Sequence, residues 1–147
     1  MRLVAGPGSD RYGRGIFITI SVALYTTSML LLWRTQTDAM FLIAGVFQGA
    51  GSGTLIPMIA ALMADRSHAK ERGRTFGVCM TGFDLGIAMA GPLLGAIADT
   101  TGITALFGLC GSMTFLGLLI FLMFSSKDVR HSLRFATGRG RDLYAVE

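Results

Sequence analysis

Residues 75–98 read TFGVCMTGFDLGIAMAGPLLGAIA, and this uninterrupted apolar run decides the fold. At about 1.5 Å of rise per residue it is long enough to cross a hydrocarbon core of about 30 Å with some tilt. One ionisable side chain, Asp84, stands near its middle. A carboxylate at membrane depth is costly unless it is protonated, paired or facing water, so its presence points to function. Two readings stay open: a group that couples proton movement or meets substrate, and a protonated acid hydrogen-bonded to a neighbouring helix. Gly82, Gly86 and Ala90 recur every four residues, and Gly91 and Gly95 repeat that spacing one step on. Small residues at i and i+4 share a helix face and let two backbones meet closely in lipid, where packing drives association. The run is therefore expected to have a helical partner.

The rest of the chain has the same character. Of its 147 residues 52% are hydrophobic and only 15% charged, and the mean hydropathy is +0.58. That is a membrane composition. Four apolar runs carry it, 16–33, 39–64, 75–98 and 103–124, each at or above the length of a spanning helix. Asp84 is the one charged residue inside them. The expected fold class is an all-α membrane protein of four transmembrane helices (16–124), preceded by a cytoplasmic loop (1–15) and followed by a largely disordered cytoplasmic tail (125–147).

Lysine and arginine set the orientation. An even number of spans puts both termini and the 65–74 loop on one side, with Arg2, Arg11, Arg14, Arg66, Lys70, Arg72, Arg74, Lys127, Arg130, Arg134, Arg139 and Arg141. Arg34 alone falls opposite. The positive-inside rule then makes that side cytoplasmic and the protein a multi-pass resident of the inner (plasma) membrane. Topology and attraction to anionic lipid account for the basic tail, so no nucleic-acid partner is invoked. Cys79 and Cys110 lie within spans and read as small core residues, with no disulfide or metal spacing. No Ser-His-Asp order, His or Cys cluster, or phosphate loop occurs, so no enzyme activity, catalytic residue, metal or cofactor is expected.

The spans differ in their small residues. The first has no glycine or charge and reads as a lipid-facing support helix closed by Trp33 at the outer interface. The second offers Gly45, Gly49 and Gly53 on one face, with Gln48 as a polar side chain for substrate or an interhelical bond, and Pro57 favouring a bend. The fourth, rich in Leu, Phe and Met, reads as a second support. Within the tail, a short helix lying on the anionic leaflet is the one ordered element expected.

Residues 6–14, GPGSDRYGR, resemble the G-x-x-x-D-R-x-G-R cytoplasmic loop motif of the major facilitator superfamily, through Gly6, Asp10, Arg11, Gly13 and Arg14. The next basic position of that pattern is Gly15 here. The runs GVFQGAGSGTLIPMIAALMAD, RGR at 72–74 and TGFDLGIAMAGPLLG are similar to helices 10 and 11 of drug and metabolite exporters in the superfamily. Gly91, Pro92 and Gly95 resemble its glycine-proline antiporter element, although Gly86 is one residue further from Gly91 than the motif has it. The resemblance implies part of a secondary transporter, expected to be a proton-coupled exporter of a small molecule, with the loop motif gating the cytoplasmic side. Residues 41–48 lack the arginine that the family places at the head of helix 4, which favours helices 9–12 over helices 3–6. Four helices are a third of the family's twelve, so the chain is expected to be a fragment, inactive alone. Its expected partners are membrane lipid and either the remaining helices of a transporter or further copies of itself. Two other classes stay open, a small four-helix multidrug exporter acting as an oligomer and a non-transporting regulatory membrane protein.

Overall fold

A computed structural model describes residues 13–68, 70–138, 142 and 144. Five helices follow one another among them: α1 (Arg14–Arg34), α2 (Asp38–Asp65), α3 (Arg72–Thr101), α4 (Ile103–Phe124) and α5 (Val129–Ala136). The first four are long and apolar enough to cross a membrane. They overlap the runs 16–33, 39–64, 75–98 and 103–124, because an apolar stretch in lipid must satisfy its backbone within one helix.

The turns between them follow from local chemistry. Thr37 caps α2, its hydroxyl accepting from the Met40 amide at 3.4 Å. Gly102, at φ 83°, ends α3 and starts α4 in the left-handed region open to glycine. α2 continues as helix through Pro57 and α3 through Pro92.

The packing centre is α1, which rests against α2, α4 and α5. Its buried residues, Gly15, Ile18, Ser21, Thr26, Ser28 and Met29, wind around it, and the neighbours come close at small residues. A Cβ on Gly51 of α2 would stand 2.8 Å from the Ser21 carbonyl, and one on Gly111 of α4 3.0 Å from Leu30. The Ser28 hydroxyl donates across the α1–α2 contact to the Ala44 carbonyl at 2.8 Å. The indole of Trp33 lies over Gly108 of α4, whose Cβ would meet it at 3.0 Å, and the Arg34 guanidinium sits 5.2 Å above the ring.

This corrects the reading of the first span as a lipid-facing support. It lacks glycine, but its serines and threonines serve as the small interfacial residues. In contrast, no residue of α3 is buried.

The 125–147 tail, read as largely disordered, contains α5. Phe135 and Ala136 are buried, the Phe135 ring 6.3 Å from that of Phe121 on α4. The Thr19 hydroxyl of α1 donates to the Ala136 carbonyl at 2.9 Å. Ser132 is fully buried, its oxygen accepting from the Ser126 amide at 2.8 Å, which ties α5 to the end of α4.

Candidate functional site

Two regions carry the residues singled out above. The first lies where the start of α1 meets the ends of α2 and α4. Gly6, Asp10 and Arg11 of the loop motif fall outside the described residues. Gly13, at φ 83°, delivers the chain into α1, and Arg14 follows with its Nε 2.6 Å from Asp65 Oδ2 at the end of α2. The last residue of the motif is therefore ion-paired to the far end of the next helix.

Gly15 takes the place of a basic residue in the family pattern, and the structure gives the reason. A Cβ there would overlap the Phe135 carbonyl and stand 2.9 Å from the ring. The room a side chain needs is filled by α5.

Arg66, which sequence reasoning passed over, is a heavily engaged cation of this region. Its Nε and Nη2 donate to both carboxylate oxygens of Asp142 at 2.8 and 3.0 Å, and Nη2 also donates to the Ser125 carbonyl at 3.0 Å. The guanidinium carbon lies 5.2 Å from the ring centroids of Phe135 and of Tyr144. A forked, planar donor suits a two-oxygen acceptor and aromatic faces together. No local pattern announces this site, since its hydrogen-bond partners are separated by 59 to 76 residues of sequence.

The second region is the open face of α2 and α3. Asp84 is exposed, and Gln48 is half-buried on α2. Among the described residues no hydrogen bond or ion pair joins them or engages the Asp84 carboxylate. Gly45, Gly49 and Gly53 on α2 and Gly82, Gly86, Gly91 and Gly95 on α3 have no atom within 4 Å of where a Cβ would stand, and Pro92 is exposed. The tight contacts that these stripes were read for are therefore not made within the described residues. Gly51, Gly108 and Gly111 make them instead, all against α1. Where α3 leaves α2, an open cleft of about 410 Å³ lies between Met63, Ala64, Phe76 and Gly77, with Arg72 and Gly73 at the start of α3.

A sequence profile of the Major Facilitator Superfamily matches residues 1–145. The chain belongs to the major facilitator superfamily. Its similarity to individual superfamily proteins runs over most of its length. It is 37% identical over 86 residues to a "probable 4-methylmuconolactone transporter" of Cupriavidus pinatubonensis, which is 58% of this chain and 20% of the relative. It is 30% identical over 123 residues to an uncharacterized MFS-type transporter of Methanocaldococcus jannaschii, 83% of this chain and 32% of that one. A "probable anion transporter 4, chloroplastic" of Arabidopsis thaliana is 30% identical over 129 residues, 84% of this chain and 24% of the relative. This chain thus spans a fifth to a third of the length of these relatives. No solved structure matches it. With four apolar helices and this family, it is a multi-pass membrane protein.

Proposed function

We infer that this superfamily chain supplies helices 9–12 of a secondary transporter that moves a small molecule across the plasma membrane. The observation that carries the reading is the open face of α3. A helix of 30 residues with no buried side chain, a stripe of bare glycines and one acid is built to meet helices beyond the described residues. In the superfamily architecture the substrate site lies near the midplane between two helical halves. The α2–α3 face with Gln48 and Asp84 is the side of this chain that would close it.

The twelve basic residues of one side support a cytoplasmic location for both termini. The Arg14–Asp65 pair then sits at the cytoplasmic gate. Asp84 is assigned proton coupling, in the direction of export by proton exchange. Alone, without the opposing half, the chain is inactive.

The test joins this chain to a chain supplying the remaining helices and uses inverted vesicles. Asp84→Asn keeps size and hydrogen bonding but holds no exchangeable carboxyl proton. It should abolish proton-driven uptake while leaving substrate binding and downhill exchange in place. Proton-driven uptake that persists in the Asp84→Asn protein would leave the acid as a helix-bridging group and end the coupling assignment.

A further inference from the structure

Helix α5 is docked by one face only. Ser132, Phe135 and Ala136 are buried against the bundle, which fixes what the opposite face presents. Val129 and Leu133, one turn apart, are 48% and 44% exposed. Arg130 and Arg134, one position on and also one turn apart, are exposed, as is Lys127 just before the helix. Among the described residues no carboxylate pairs with these three cations. Asp128 stands 3.5 Å from Nδ1 of His131, and Asp142 is held by Arg66.

The position of this face matters as much as its composition. α5 begins a few residues after Phe124, the last residue of a membrane-spanning helix, and is held there by Ser132 and Phe135. Its side chains therefore lie where hydrocarbon gives way to headgroups. Bulk water does not favour an exposed Val–Leu pair, and hydrocarbon does not accept two arginines. An apolar pair beside a cationic pair fits the boundary between them, with the aliphatic groups toward acyl chains and the guanidinium groups on phosphate.

We propose that the outward face of α5 binds the headgroups of anionic phospholipids. Arg130 and Arg134 contact the phosphates, Lys127 adds to the local field, and Val129 and Leu133 seat the helix at the acyl boundary. The assignment is independent of whether the chain transports anything. Each cation at an anionic surface contributes about 1 kcal/mol, so the two arginines together correspond to roughly a 30-fold local enrichment of anionic lipid at low ionic strength.

The experiment uses the full chain with Cys79→Ala and Cys110→Ala, a fluorophore on Leu133→Cys, and nanodiscs of phosphatidylcholine. A minor fraction of nitroxide-bearing phosphatidylglycerol or nitroxide-bearing phosphatidylcholine serves as quencher. Phosphatidylglycerol should quench many-fold more strongly per molecule. The ratio should fall toward one in the Arg130→Gln/Arg134→Gln chain, persist in Arg130→Lys/Arg134→Lys, and collapse as salt shortens the screening length. Equal quenching by the two lipids overturns the proposal, as does a ratio unmoved by the glutamines. A label reached by aqueous iodide but by neither lipid also overturns it, because the face would then lie in water. Maleimide protection of Ala136→Cys reports whether α5 stays docked in the glutamine chain. Should that protection be lost, the salt response of the arginine-bearing chain decides, and a salt-insensitive preference refutes the surface.

Discussion

Gly15→Ala isolates the contact between the loop motif and the C-terminal segment. The added methyl would overlap the Phe135 carbonyl and approach the Phe135 ring to 2.9 Å. The nearest of these atoms belong to backbone, so no side-chain rotation relieves the overlap, and α5 must either strain or retreat. Absorbing such an overlap in place typically costs about 1–3 kcal/mol. Retreat forfeits the burial of Phe135, about 1.5–3 kcal/mol, and the Thr19–Ala136 hydrogen bond, about 0.5–1.5 kcal/mol. The cheaper route sets the outcome, so docking should weaken by about 1–3 kcal/mol, a roughly 5- to 150-fold rise in the undocked population. Ala136→Cys, buried when α5 is docked, reads that population through its maleimide rate in a background with Cys79→Ser and Cys110→Ala. Gly49→Ala, which meets no atom within 4 Å, is the matched control. Equal rates with and without Gly15→Ala would refute the close approach.

The same geometry ranks the other glycines: Gly51→Leu should lower stability in detergent by about 1–3 kcal/mol through overpacking against Ser21 and Tyr25. Gly91→Leu should change the stability of this chain by no more than about 0.5 kcal/mol, and a larger loss from Gly91→Leu would reverse the interface assignment. Arg66→Leu should release Asp142 and raise the Ala136→Cys rate, whereas Arg66→Lys should restore only part of the protection because it cannot fork to both Asp142 oxygens. Thr37→Cys and Thr101→Cys should react with an impermeant reagent from outside and His68→Cys should not. His68 is exposed where its neighbour Ser67 is buried, so lack of reaction there reports sidedness.

The helices were legible because length and apolarity in lipid leave a chain one local solution, and 75–98 alone carried most of that argument. Who packs against whom was legible only in part. Glycine counts drew attention to α2 and α3, yet the interfaces formed in this chain use Ser21, Ser28 and Thr26 of α1, whose apolar run 16–33 holds no glycine. The signal was present in ISVALYTTS, where hydroxyl residues recur through an otherwise apolar run. Serine and threonine can return their hydroxyl to their own helix, as Ser21 does to Phe17 and Thr26 to Val22, and so behave as small residues. The Arg66 site was not legible. Arginine near the end of a span is expected for topology alone, and nothing local separates one that faces water from one that holds a carboxylate distant in sequence.

Gly102 also bears on how the bundle can move. It is the single residue between α3 and α4, so their adjoining ends stay within about 7 Å of each other, two steps of about 3.8 Å. At its other end α3 is joined to α2 by the 66–71 connection, seven steps from Asp65 to Arg72, which at full extension reach about 25 Å. A helix tethered tightly at one end and loosely at the other has one wide degree of freedom, a swing about the tight end. Any displacement of α3 from the three-helix body of α1, α2 and α4 therefore grows with distance from Gly102. It is greatest at Arg72, on the side where Arg14 is already paired with Asp65 and Arg66 with Asp142.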